Sequence, residues 1–159
     1  MVKMKRFKGF KTYALVTGAA SGMGRIYSLE LARKGYNVIM VDINAAGLQE
    51  TERMVKAAVE ASAEIPTEYK ETFSIISVVQ DLSVNEAADK IFAATEAAGC
   101  EVEVLVNNAG VMYCQGIAET SERMLNIIMM VHMYTPLMLC RKYVIGMKER
   151  KCGYILNIS

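Results

Sequence analysis

A doubly wound α/β fold, five parallel strands in spatial order 3-2-1-4-5 with helices on both faces, is what this sequence predicts. Three observations carry it. Short apolar runs alternate with longer helix-like segments along the whole chain. The runs are apolar at successive positions, as in strands buried on both faces. The first run also breaks into "GAASGMG", a turn that delivers a strand to the start of a helix. Right-handed crossovers then fix the winding. No repeat or linker divides residues 1–159, which read as a single domain.

Each element has its own justification. "YALVT" (13–17) is a buried strand ending at Gly18. From Gly22 to Lys34 the apolar positions Met23, Ile26, Tyr27, Leu29, Leu31 and Ala32 suit a helix packed on a sheet, closed by Gly35. "NVIMVD" (37–42) is the second strand, followed by an amphipathic helix over 44–62 with Asn44 as its N-cap. The polar stretch 63–72 predicts a loop, and "SIISVVQ" (74–80) a third strand. Ser83 with Glu86 predicts a capping box for a helix from Val84 to Ala98, which Gly99 ends. "VEVLV" (102–106) is the fourth strand and "NNAG" (107–110) its exit turn. A long helix follows from about 121 to 150, bent near Pro136, and "GYILNIS" (153–159) is the fifth strand.

Composition excludes several classes. The chain is 53% hydrophobic, which excludes disorder, and its net charge of +1 with scattered signs argues against a nucleic-acid partner. The basic start "MVKMKRFKGFK" lacks an apolar region of signal-peptide length and reads as a solvated arm. The four cysteines show no metal-ligand spacing, so reduced thiols in a cytoplasmic protein are expected. "MLNIIMMVHMYTPLMLC" (124–140) contains Asn126, His132 and Pro136 and falls short of about 20 apolar residues. It predicts a buried helix, with no membrane span.

The glycines pose the functional question. A helix N-terminus carries unpaired N–H groups and the positive end of the helix dipole, so it is an anion site. Gly18 makes the turn, Gly22 permits close approach of a diphosphate, and Gly24 permits close helix–strand contact. Ser21 adds a hydroxyl donor, and Met23 lies within the same turn. Asp42 ends the next strand about 20 residues on, where a carboxylate accepts hydrogen bonds from an adenosine ribose. Its charge repels a 2′-phosphate, and neither Ser21 nor Ile43 and Asn44 beyond it supply a cation, so NAD is favoured over NADP. The purely structural alternatives are a tight turn at the glycines and a strand-end turn former at Asp42.

With these residues in place, the chain resembles the short-chain dehydrogenase/reductase family. The resemblance rests on the spacing Thr17-Gly18-x-x-x-Gly22-x-Gly24, on "DL" (Asp81, Leu82) after the third strand, on "NNAG" after the fourth, and on "GYILNIS". The opening "YALVTGAASGMGRIYSLELARKGYNVIMVD" is most similar to the steroid and acyl-reductase branch. The resemblance implies a Rossmann-like fold and hydride transfer between a nicotinamide cofactor and an alcohol or carbonyl substrate. It assigns Asp81 and Leu82 to the adenine edge, and Asn108, Ala109 and Gly110 to the cofactor crevice. Asn107 is expected to tie neighbouring strands together.

The family's chemistry also needs a Ser and a Tyr with a Lys four residues later. None of the eight tyrosines has that partner; Tyr143 and Lys148 are five apart and sit in the long helix. Ser159 belongs to the fifth strand and is not the family's serine. The chain is therefore expected to be a cofactor portion, incomplete relative to the family after its fifth strand. It would then be inactive alone, leave an unpaired strand edge, and form a homo-oligomer through the helix at 121–150. At the position where many members carry a helix Asn, this chain has His132, a candidate proton relay or a packed core residue. Three functions remain open: the N-terminal portion of an oxidoreductase, a dinucleotide-binding module without turnover, and a scaffold that binds no cofactor.

Overall fold

The computed structural model describes residues 11–158. The basic N-terminal arm (except Lys11) and Ser159 lie outside the described residues. Five strands, β1 (Thr12–Thr17), β2 (Asn37–Asp42), β3 (Ile75–Val79), β4 (Glu101–Asn107) and β5 (Tyr154–Asn157), form one parallel sheet. The order is β3-β2-β1-β4-β5, as the sequence predicts. Helices α1 (Gly22–Arg33) and α2 (Ala45–Ala61) follow the first two strands, and α3 (Thr67–Thr72) precedes the third. After α4 (Ala87–Ala97) and β4, a long helical run comprises α5 (Glu122–Met129), a π turn (Met130–Tyr134) and α6 (Thr135–Glu149).

Side chains alternate across each strand, so the sheet has two separate cores. Tyr13, Leu15, Ile39, Val41 and Leu105 pack with Ile91 of α4 and with Leu139, Tyr143 and Met147 of α6. Ala14, Val16, Val38, Met40, Val104 and Val106 pack instead with Leu48, Val55 and Val59 of α2 and Ala32 of α1. Both faces of β1 are covered, which is why "YALV" carries no alternation. A bulge in β4 resets the alternation: Tyr13 pairs with Val102 and Ala14 with Val104, so Glu103 is the extra residue of the bulge. Its buried carboxylate accepts the Tyr36 hydroxyl at 3.0 Å.

Three local expectations are corrected. The polar loop at 63–72 contains α3, a single helical stretch started by Pro66, whose carbonyl accepts from Tyr69 and Lys70. Tyr69 and Phe73 pin it to the α1/α2 core. The capping box at Ser83 does not form. Asp81 Oδ1 captures both the Ser83 amide at 2.8 Å and its hydroxyl at 2.7 Å, a carboxylate being a better acceptor than the alternative offers. The helix accordingly starts later, at Ala87, with no side-chain cap.

The third correction concerns the helix after β4. It is not buried: only one stripe, Met130, Val131, Thr135, Leu139, Tyr143 and Met147, faces the sheet, and α5 buries no residue. Met129, Met133, Leu137 and Ile145 are exposed by half or more. The run Glu122–Glu149 is 28 residues and, by length and composition, long and apolar enough to cross a bilayer. The irregularity falls just before Pro136, which enters α6 in its first turn. A ring without an N–H leaves the preceding carbonyl free, and the wider π turn accommodates this. Among the described residues β5 pairs with β4 alone, and Tyr154, Ile155 and Leu156 remain 36–40% exposed.

Candidate functional site

A cleft of about 680 Å³ opens beyond the carboxyl ends of the strands, where the order reverses between β1 and β4. Gly18, Ser21, Gly22 and Met23 form one wall, Asp42 and Ile43 the next, and Asp81 and Leu82 a third. Asn108, Ala109 and Gly110 line the far side with His132. Of the residues singled out from sequence only Gly24 is absent from the walls. Its place is behind them: a Cβ there would overlap the Gly18 carbonyl oxygen and come within 2.7 Å of Asn108 Nδ2. Gly24 is thus the contact between α1 and the two strand ends.

The turn from Gly18 to Gly24 divides its backbone groups sharply. The Ala19 amide donates to the Val41 carbonyl at 3.2 Å, and the Ala20 amide to Asp42 Oδ2 at 3.0 Å. The Ala19 carbonyl accepts the Thr51 hydroxyl at 2.9 Å, and the Ala20 carbonyl the Arg25 guanidinium at 2.5 Å. Arg25 is held in turn by Thr51 Oγ1 at 2.9 Å. Every polar group of Ala19 and Ala20 is therefore spent inside the protein. The amides of Ser21 to Gly24 belong to the first turn of α1, where helical geometry offers no carbonyl to receive them. Ser21 is the N-cap, with its hydroxyl unused as a cap, and Gly22 has φ +50° with nothing within 4 Å of where a Cβ would stand. A bare, dipole-polarised N-terminus with open space before it is a site for an anion.

Asp42 does two jobs at once. Oδ2 holds the Ala20 amide, and Oδ1 accepts from the Asn44 amide at 2.9 Å. Two backbone bonds fix its orientation at the cleft, and each oxygen keeps a lone pair for a ligand hydroxyl. On the third wall, the Leu82 carbonyl accepts the buried Thr135 hydroxyl at 2.8 Å, which ties that wall to the start of α6. Asp81 spends Oδ1 on Ser83.

The β4 exit turn is organised by Thr17, a residue that sequence reasoning left out of the site. Its Oγ1 accepts from both the Asn108 and Ala109 amides at 3.0 Å, and Asn108 Nδ2 donates to the Thr17 carbonyl at 3.0 Å. A hydroxyl at the end of a buried strand was the available signal. Gln80 and Ser83, which flank Asp81 and Leu82, also line the cleft and were missed, as were Ile127, Val131 and Ile158, which long-range packing brings there. Asn107 behaves as expected: Nδ2 donates to Asn157 Oδ1 across β4 and β5 at 2.8 Å. His132 is exposed and is not a core residue. The π turn places its Nε2 3.0 Å from both the amide nitrogen and the carbonyl oxygen of Val111.

No tyrosine or lysine stands among the residues lining this cleft. Tyr143 lies in the core, its hydroxyl 2.9 Å from Thr95 Oγ1, and burial pushes its phenol well above the ordinary range. No group of three or more metal-ligating side chains gathers among the described residues.

Comparison with known proteins agrees with this geometry. The family model described as short chain dehydrogenase matches residues 12–159. Among curated relatives, a very-long-chain 3-oxoacyl-CoA reductase of Anas platyrhynchos is 34% identical over 161 residues, covering 95% of this chain and 46% of that protein. One from Pyrenophora tritici-repentis is 29% identical over 150 residues, covering 93% of this chain and 41% of the relative. The chain thus spans less than half the length of these relatives. Among solved structures, a metagenomic short-chain oxidoreductase in complex with NADP superimposes with a TM-score of 0.80 at 28% identity, covering 94% of this chain and 62% of that one. A short-chain dehydrogenase from Streptomyces avermitilis gives 0.74 at 30% identity, covering 94% and 48%.

Proposed function

The chain belongs to the short-chain dehydrogenase family, and from that premise we propose that its cleft holds a nicotinamide dinucleotide as the cofactor-binding part of an oxidoreductase. The observation that carries the proposal is the division of backbone groups at the glycine turn. Ala19 and Ala20 are internally satisfied, while Ser21, Gly22 and Met23 start α1 along the cleft wall, with nothing within 4 Å of where a Gly22 Cβ would stand. Their amides would hold the diphosphate, with the Ser21 hydroxyl beside them. Asp42 would accept the hydroxyls of the adenosine ribose, Asp81 and Leu82 would border the adenine, and Gly110 to Met112 would border the nicotinamide end. When bound, the cofactor supplies or accepts hydride; the chain's residues orient it and exclude water around it.

We favour NAD over NADP. Asp42 is fixed by two amides and cannot turn away from a 2′-phosphate, and the Arg25 guanidinium is occupied by Ala20 and Thr51. The named relatives make a 3-oxoacyl thioester the substrate class we propose for an oxidoreductase built on this portion. A second reading, binding without turnover by this chain alone, is favoured by one specific observation. None of the eight tyrosines in the sequence has a lysine four residues on, and no tyrosine or lysine lines the cleft. We further propose a homo-oligomer through the exposed apolar face of α5 and α6, and a reducing, cytoplasmic setting, since no two of the described cysteines are bonded together.

Calorimetric titration with NADH and NADPH tests the proposal. Binding of NADH in the micromolar to millimolar range, weaker binding of NADPH, and loss of both in Gly22→Leu are expected. Equal binding by Gly22→Leu and the parent chain would overturn the diphosphate assignment, and tighter binding of NADPH would overturn the preference for NAD.

A further inference from the structure

Ser83 has the composition of a helix cap but caps nothing, since α4 begins later, at Ala87, with no side-chain cap. Its hydrogen-bonding groups go to a neighbour on the cleft wall. The Ser83 amide donates to Asp81 Oδ1 at 2.8 Å, and the Ser83 hydroxyl donates to the same oxygen at 2.7 Å. Both residues line the cleft.

A carboxylate oxygen has two acceptor positions, so two donors fill Oδ1. Among the described residues no donor is bonded to Oδ2. The carbonyls beside it are engaged: that of Asp81 accepts Gln80 Nε2 at 2.8 Å, and that of Leu82 accepts the Thr135 hydroxyl at 2.8 Å. Oδ2 is therefore the charged acceptor that this wall keeps open. The terminal torsion of an aspartate is intrinsically broad, so the carboxylate needs an outside hold to present one oxygen. Any residue but proline would supply the amide at position 83. The hydroxyl is what serine adds.

We infer that Ser83 is a positioning residue for base selectivity: by filling Asp81 Oδ1 it holds Oδ2 open for the 6-amino group of a purine. A fixed, charged acceptor favours an amino group and disfavours a carbonyl at the same place, because two acceptors cannot satisfy each other. The inference rests on the dinucleotide reading of the cleft, and adds to it a residue that acts through Asp81.

The test is calorimetric titration with NADH and with reduced nicotinamide hypoxanthine dinucleotide, which has a 6-oxo group in place of the 6-amino group. Each chain is scored by the ratio of its two affinities, so a loss of folded protein cancels. The parent should prefer NADH by about tenfold or more. Ser83→Ala keeps the amide bond and loses the hydroxyl bond, so its preference should shrink about three- to tenfold, through weaker NADH binding. Ser83→Thr, which retains a hydroxyl, should hold the parent ratio. Asp81→Ala should lose most of the preference, and adding Ser83→Ala to it should change the ratio no further. The inference is overturned by a Ser83→Ala chain that keeps the parent ratio or weakens both ligands equally. It is overturned as well by Ser83→Thr behaving as Ser83→Ala, or by Ser83→Ala still acting when Asp81 is absent. A parent chain that binds both dinucleotides equally sinks the inference and leaves the reading of the cleft standing. A parent chain that binds neither sinks both.

Discussion

Gly22 and Gly24 are two residues apart, yet the structure assigns them opposite costs on substitution. In Gly24→Ala the new methyl overlaps the Gly18 carbonyl oxygen and lies 2.6 Å from the Gly18 carbonyl carbon and 2.7 Å from Asn108 Nδ2. Two of these neighbours are backbone, so α1 must move off the sheet. Overpacking of this kind costs about 1–3 kcal/mol. Displacing Asn108 also endangers its 3.0 Å bond to the Thr17 carbonyl, about 1 kcal/mol more. The total, about 2–4 kcal/mol, is a large fraction of a domain's stability of about 5–15 kcal/mol. It corresponds to a melting temperature lower by about 5–15 °C. In Gly22→Ala the methyl meets nothing within 4 Å, and only φ +50° opposes it, at about 1 kcal/mol. That methyl occupies the space before the helix N-terminus, so dinucleotide affinity should fall by at least about tenfold while the fold survives. Urea denaturation and calorimetric titration of both variants separate the effects. A Gly24→Ala chain as stable as its parent refutes the packing argument. A Gly22→Ala chain that binds NADH undiminished refutes the placement of the ligand.

Other outcomes follow from the same geometry. Asp42→Ala removes the acceptor for the Ala20 and Asn44 amides, so it should lose about 1–3 kcal/mol of stability as well as NADH affinity, and should not simply convert the site to NADPH. Equal denaturation midpoints with a clean cofactor switch would contradict this. Lys151 ends α6 with φ +52°, the left-handed geometry that glycine adopts freely, so Lys151→Gly should stabilise the chain by up to about 1 kcal/mol by urea denaturation. Burial holds the phenols of Tyr36, Tyr69 and Tyr143 above their ordinary value. The unfolded chain therefore releases these protons first, and the stability they contribute is complete below about pH 10 and is lost as pH rises beyond it. Denaturation midpoints measured from neutral to alkaline pH should fall only in that upper range. Met133→Glu with Leu137→Glu should shift sedimentation toward the monomer if α5 and α6 form the contact between copies, and an unchanged distribution would exclude that face.

Much of this was legible in the residues. Continuous apolar runs identify β1, β2 and β4 because both faces of those strands are covered, and alternation with helices gives the parallel order. The glycine turn, Asp42 and the β4 exit turn converge on one cleft because strand ends of a parallel sheet open on the same side. Other features depended on contacts that sequence spacing does not carry. Ser83 looked like a helix cap until Asp81 competed for it. The segment 67–72 is too short and too polar for periodicity to reveal a helix held by Tyr69 and Phe73. The long apolar stretch suggested burial, but hydropathy does not tell a face on the sheet from one left open, and only one stripe of it meets the sheet. Thr17 was legible as a strand end but not as the acceptor of two amides from β4. The position of His132 required the π turn, which arises from a proline four residues further on.

The central claim is that the amides of Ser21 to Met23 receive the ligand's diphosphate while those of Ala19 and Ala20 stay bound to β2. Amide resonances followed during titration with ADP-ribose test it most directly. The account predicts the largest displacements at Ser21, Gly22 and Met23, with Ala19 and Ala20 moving far less. Displacements centred elsewhere in the chain, with the first turn of α1 unmoved at saturation, would contradict it.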